Sequence, residues 1–265
     1  MSDEFVTRAV RCPACQTAFN HDQPTLSPLA GRDADYRPLF SGRDVLLGMV
    51  LTCPTCRYSA FAEGFESEGD LGEEERALLL ESGDDAPVVH TELPGDDEID
   101  ALRRFLKRPE YFEGLARDGE PYGGARCVLA ARCHEFLDED DADGVLELYL
   151  RGSWCARATN DRDIEQRCQR EVVARLRKRL DEKDEKKKLH DVDRPRAVYL
   201  WAELSRRLGE FSAALQGFEE LRGLVDAEDE EGSRWLERAR RLGALAGVKS
   251  AVNAPWTDEE LEEEP

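Results

Sequence analysis

A chain of 265 residues with 40% hydrophobic side chains can bury one or two cores, so no single ion has to hold all of it together. The formal net charge of -21 argues against a broad nucleic-acid surface, and the longest aliphatic run, Val45 to Leu51 broken by Gly48, is too short to span a bilayer. Eight cysteines beside an N-terminus (MSDEFVTRAVR) with no apolar leader segment are expected to be reduced thiols of a soluble cytoplasmic protein rather than a disulfide framework.

The acidity is unevenly placed. Residues 1–60 hold six acidic side chains and six arginines, residues 61–100 hold fifteen acids against Arg76 alone, and six more acids crowd Asp258 to Glu264. A connector and a tail therefore carry the charge, as solvated segments commonly do, and the N-terminal region is neutral.

In chain order, Phe5 to Arg11 reads as a strand running into Cys12-Pro13-Ala14-Cys15, and Thr17 to Phe19 leads away. Asp44 to Thr52 reads as a second, more aliphatic strand entering Cys53-Pro54-Thr55-Cys56, with Tyr58 to Phe61 leading out. The halves CPACQTAF and CPTCRYSAF are variants of one unit, the pattern of two hairpin tips facing across one ion. Four thiolates at this spacing suit one tetrahedral, structural Zn²⁺ held by Cys12, Cys15, Cys53 and Cys56. In such knuckles the residue after the second cysteine is often glycine; here it is Gln16 and Arg57, so a positive φ would carry strain. Between the knuckles, Pro24, Pro28 and Pro38 suggest an irregular loop. A short helix is expected over Glu73 to Glu81 and a linker over Gly83 to Glu98.

From Ile99 the period becomes helical. Helices are expected over Ile99 to Leu106, Tyr122 to Leu137 and Val145 to Arg157, and one long charged helix from Asp161 to about Leu189 carries Ile164, Cys168, Val172, Leu176 and Leu180 as an apolar stripe. Trp201, Glu203 and Arg206 to Gly209 recur as Trp235, Glu237 and Arg240 to Gly243, an offset of 34 residues, which is the tetratricopeptide length. Gly209 and Gly243 fall where a helix should turn.

Other constellations do not complete a site. Glu139, Asp141, Asp143 and Gly144 imitate a calcium loop, but Leu150 stands where the bidentate Glu belongs. His134-Glu135 lacks a zincin's second His, since Asp138 occupies that position. Cys127, Cys133, Cys155 and Cys168 lie on apolar helical stretches and read as small buried hydrophobes. In tetratricopeptide register, Arg196, Tyr199, Glu203, Arg206 and Arg207, with Glu237, Arg240 and Arg241, would line one concave groove suited to an acidic segment or a free carboxylate, including the chain's own acidic tail; the simpler reading is a solvated helix face.

Together, CPACQTAF, Arg32 to Tyr36, CPTCRYSAF, LAARCHEF, LELYLRGSWCAR and YLWAELSRRLGEFSAAL resemble a bacterial family catalogued as domain of unknown function 2225. The resemblance implies a zinc-ribbon-like N-terminus joined to tetratricopeptide-like helices, with no assigned activity. The expected fold is α+β: a zinc-ribbon-like module over 1–66, an acidic helix and linker over 67–98, an all-α tetratricopeptide-like domain over 99–255 and an acidic tail over 256–265. The expected function is a non-enzymatic scaffold that binds a protein partner. Thiol exchange or metal transfer at the CxxC pairs is the alternative, and nucleic-acid binding through the ribbon ranks last, because its neutral charge gives no electrostatic footprint.

Overall fold

A computed structural model of the chain describes residues 5–24, 27–42, 44–67, 96–115, 120–182, 193–226 and 228–254. The helix expected over Glu73 to Glu81 and the tail over 256–265 lie outside the described residues, as does most of the linker. The described residues form an α+β protein of strand hairpins followed by seven α-helices, and they divide into two compact units. The division does not follow 1–66 and 99–255: one unit joins residues 1–29 with 40–168, and the other joins residues 30–39 with 169–265.

In the first unit, β1 (Phe5–Arg11) pairs antiparallel with β2 (Ala18–Pro24) from Arg11↔Ala18 to Phe5↔Pro24, and its other edge takes β7 (Glu66–Ser67). A second hairpin joins β5 (Val50–Thr52) to β6 (Ser59–Phe61). The strand expected over Asp44 to Thr52 is only this short β5. Its first half is a 3₁₀ turn, Val45–Gly48, because the Asp44 carboxylate accepts the Leu46 amide at 3.1 Å and caps a turn that an extended chain cannot form.

The helices of this unit are α1 (Asp96–Phe105), α2 (Gly124–Leu137), α3 (Ala142–Ala158) and the first turns of α4 (Arg162–Leu180). The α2–α3 pair is the expected helical hairpin, and α2 also covers the β5–β6 hairpin. Strand and helix residues share one core: Val10, Leu51, Tyr58 and Phe65 pack with Leu102, Leu106, Tyr111 and Leu129. The cysteine hairpins are therefore built into the helical unit. Each fully buried Leu or aromatic contributes about 1.5–3 kcal/mol, which ties the two parts far more firmly than a linker would.

In the second unit, α5 (Arg194–Arg207) and α6 (Phe211–Leu224) form a tight hairpin, and α7 (Glu230–Gly247) packs mainly on α6. The expected turn at Gly209 is present: its φ is +81°, and Glu210 N–H reaches back to the Ser205 carbonyl at 2.8 Å. At Gly217 a Cβ would come within 2.7 Å of Ala202, so glycine sets how closely α5 and α6 approach. Gly243 does not mark a turn, since α7 runs through it to Gly247. Of the long helix expected to about Leu189, α4 runs to Leu180, whose carbonyl accepts from the Arg194 guanidinium at 3.3 Å, and residues 183–189 lie outside the described residues.

Residues between the knuckles are also more ordered than an irregular loop. Strands β3 (Leu29–Arg32) and β4 (Pro38–Phe40) pair, and Asp33 to Tyr36 form the turn between them. Asp33, Ala34, Asp35 and Tyr36 are all buried. Tyr36 packs edge-on to Tyr199 and Trp235, and Asp35 lies 3.4 Å from Arg207. A piece of N-terminal sequence thus completes the core of the C-terminal helices.

Candidate metal centre

The knuckles are built alike. In the first, Cys12 N–H donates to Thr17 O at 3.0 Å and Gln16 N–H to Cys12 O at 2.8 Å; in the second, Cys53 N–H donates to Tyr58 O at 2.8 Å and Arg57 N–H to Cys53 O at 3.0 Å. Each turn reverses the chain by placing the residue after its second cysteine in the left-handed region, Gln16 at φ +61° and Arg57 at φ +68°. That is the strain anticipated for non-glycine residues there, worth about 1–2 kcal/mol each.

The turns bring all four Sγ atoms within 4.8 Å of one another. Cys12 and Cys56 are 3.6 Å apart, and Cys15 and Cys53 are 3.5 Å apart. A tetrahedral ion with sulfur at about 2.3 Å requires sulfur–sulfur edges of about 3.8 Å, so the cluster fits one tetrahedral four-thiolate ion after a small outward shift. Cys12 and Cys53 are fully buried, whereas Cys15 and Cys56 are half-buried.

The surroundings favour a thiolate at Cys53 and oppose one at Cys12 and Cys56. Cys53 is held well below the ordinary thiol range by hydrogen bonds from the Cys12 and Cys56 thiols and from the Cys56 and Thr55 amides. Cys12 is pushed up by the same sulfur contacts, with Cys53 first, although the Cys15 amide works in the other direction. Four thiols this close resist losing all their protons unless a cation shares the charge, which is what a bound metal supplies.

Helical residues grip the outer side of both turns. Arg103 on α1 donates from Nε to the Ala14 carbonyl, and the Tyr111 hydroxyl donates to the Arg57 carbonyl and lies 3.3 Å from Cys133 Sγ. Neither Arg103 nor Tyr111 carries a motif of its own, so sequence reasoning had no signal for them.

The other cysteines are buried on helices, as expected. Burial pushes the Cys133 thiol up to about 11, which keeps it protonated and unreactive near neutrality. The residues that imitate a calcium loop are a helix start: Asp141 caps α3 by accepting from Gly144 N–H at 2.8 Å, and its other oxygen meets His134 Nε2 at 2.7 Å.

The proposed arginine groove is not open. Arg206 is 0% exposed, Arg207 8% and Tyr199 0%, so these residues lie inside the second unit. They are buried because Glu203, fully enclosed on the same helix, accepts from both guanidiniums, and because the turn 33–36 and residues 250–254 cover them. Arg196 sits over the Tyr36 ring at 4.9 Å, and Arg241 is half-buried. Of the eight groove residues only Arg240 and Glu237 are well exposed, and they pair with each other at 2.8 Å. The stretch Arg32 to Tyr36 was visible in the sequence, but its place against α5 was not.

Among the described residues no helix is long and apolar enough to cross a membrane. No curated protein and no solved structure matches the chain. Residues 5–82 and 119–245 match a family model described as an uncharacterized protein conserved in bacteria, DUF2225.

Proposed function

The chain belongs to this bacterial family, and from that premise we propose that it is a non-enzymatic cytoplasmic scaffold in which one structural Zn²⁺ on Cys12, Cys15, Cys53 and Cys56 braces the first unit while the helices offer a surface to a protein partner. The observation that carries this reading is the convergence of four sulfurs within 4.8 Å on two matching turns, each gripped by helical side chains. Four protein ligands saturate a tetrahedral ion and leave no position for substrate, so the ion's work is to hold structure. Helices α5 and α6 pack as a hairpin with α7 laid against α6, an arrangement that suits presenting a surface rather than performing chemistry.

Metal analysis with thiol titration on the native protein tests this directly. One zinc per chain with four protected thiols is expected; a folded, metal-free chain with four titratable thiols would remove the structural role. That second outcome would favour thiol exchange, the alternative suggested by the partial exposure of Cys15 and Cys56. For the partner, an acidic segment remains the chemistry that the outer arginines suit, with Arg240 the most accessible. Capture by the intact protein that is unchanged in Arg240→Glu would rule out that face.

A further inference from the structure

The buried arginines of the second unit are already reading a peptide. Arg206 forks onto Glu203, with Nε to Oε2 at 2.8 Å and Nη2 to Oε1 at 2.7 Å. It then donates from Nη1 to the Ser250 carbonyl at 2.7 Å and from Nη2 to the Val252 carbonyl at 2.9 Å. Arg207 donates to Glu203 at 2.7 Å and to the Asn253 side-chain oxygen at 2.9 Å. The Ala254 carbonyl accepts from Ala34 N–H at 3.0 Å. Carbonyls 250, 252 and 254 alternate along the chain, which is the pattern of an extended segment recognised through its backbone. Among the side chains, the Asn253 amide oxygen takes the Arg207 bond, Val252 is 61% exposed, and Ala254, 9% exposed, is enclosed.

The site selects neutral acceptors. Two guanidiniums face two carboxylates, Glu203 and Asp35, and Asp33 is buried in the same turn as Asp35. A further carboxylate would bury an unbalanced negative charge, whereas a peptide carbonyl accepts a charge-assisted bond and adds no net charge. An acidic peptide is therefore a poor occupant, and the segment Ser250–Ala254 has the required chemistry.

That segment leaves α7 through a capping turn at Val248–Lys249, in which Lys249 N–H returns to the Ala246 carbonyl at 3.0 Å and Ser250 N–H to the Leu245 carbonyl at 2.9 Å. α7 ends at Gly247, Val248 is 74% exposed, and Lys249 takes φ +55°, a left-handed conformation that a side chain other than glycine adopts under strain. Straightening Lys249 into the helix would relieve that strain and carry the arm away from its own cradle. Short strained hinges favour exchange of identical arms, because every contact is regained on the partner.

We propose that the Arg206–Arg207 cradle is a recognition site for the neutral main chain of an extended segment, and that the segment it takes in trans is residues 250–254 of a second copy of this chain, exchanged about Val248–Lys249. Light scattering from micromolar to millimolar concentration tests it on the full chain with Val248 and Lys249 deleted, circular dichroism confirming the fold. Without the hinge the arm cannot turn back, so this variant is expected to be a dimer and to return to monomer when Arg206→Lys is added. A folded, hinge-deleted chain that stays monomeric throughout the range overturns the proposal. Should the deletion not fold, the wild type and Lys249→Gly decide: a dimer fraction lowered several-fold by glycine supports exchange, and two chains monomeric at every concentration refute it.

Discussion

Glu203→Gln is the sharpest probe of the second unit. The Glu203 carboxylate is 0% exposed and accepts three hydrogen bonds of 2.7–2.8 Å from two arginines. Glutamine keeps the shape but removes the charge, and its amide N–H₂ faces a guanidinium donor with another donor. Of the two buried cations, Arg207 then keeps Asp35 at 3.4 Å, and Arg206 keeps the neutral Ser250 and Val252 carbonyls. Removing one partner of a buried ion pair costs about 3–5 kcal/mol, and because two arginines depend on Glu203, the expected loss is near the top of that range, about 4–5 kcal/mol. Against a total stability of about 5–15 kcal/mol, that brings the unit close to unfolding at room temperature. Urea unfolding followed through Trp201 and Trp235 measures it, Trp201 being sensitive because the Arg177 guanidinium sits 4.9 Å from its ring. Asp35→Asn, acting on the longer contact, should cost less than Glu203→Gln. A loss below about 1 kcal/mol for Glu203→Gln is the value for an exposed pair and would mean that the cluster is not enclosed.

Four other outcomes follow from the first unit. Cys15→Ser should abolish stoichiometric zinc and render residues 12–19 and 53–61 susceptible to protease, and retention of one zinc per chain would show that the fourth ligand is not needed. Gln16→Gly and Arg57→Gly should each raise stability by about 0.5–1 kcal/mol, because glycine removes the left-handed strain and loses only part of the gain to its unfolded-state entropy; a decrease on thermal melting would contradict it. Asp141→Ala removes the α3 cap and should cost about 1 kcal/mol, read as a lower urea midpoint. His21, whose Nε2 lies 3.2 Å from the Gly48 carbonyl, has its pKa lowered by burial and then by Arg126. The folded state therefore resists its protonation, so its contribution is complete above the unfolded value of about 6.5 and is lost as pH falls below it. His21→Gln should flatten the decline in melting temperature on acidification through that range.

The metal residues were legible because ligand spacing is a local property: two CxxC turns announce a four-sulfur site wherever the chain goes in between. The left-handed strain at Gln16 and Arg57 was equally local, following from a turn whose geometry the cysteines dictate. The α2–α3 hairpin and the turn at Gly209 came from apolar periodicity and a helix-ending glycine, which also act over a few residues. What stayed hidden depended on partners far along the chain. The run DVLLGMVLT has the composition of a strand, yet one Asp side chain bonding the backbone two residues on converts half of it to a 3₁₀ turn. The 34-residue echo placed Arg206 and Arg207 on a concave face, but register alone does not say what occupies that face.

Here the occupants come from both directions in sequence: Asp35 and Tyr36, from between the two knuckles, and Ser250 to Ala254, from beyond α7. This arrangement explains why charged side chains hold positions that a simple helical repeat would leave apolar or solvated. Two arginines can be enclosed only if acceptors arrive from elsewhere, and each arriving segment satisfies donors that α5 alone leaves unfilled. The N-terminal turn brings the carboxylate that balances charge, and the C-terminal arm brings neutral carbonyls that complete the hydrogen bonding without disturbing that balance. The second unit should therefore fail to fold as an isolated fragment of residues 169–265, since it would lack Asp35 and Tyr36. Adding residues 28–41 as a separate peptide should restore cooperative unfolding, and a fragment that folds unaided with unchanged Trp235 fluorescence would show that the turn decorates the helices rather than completing them.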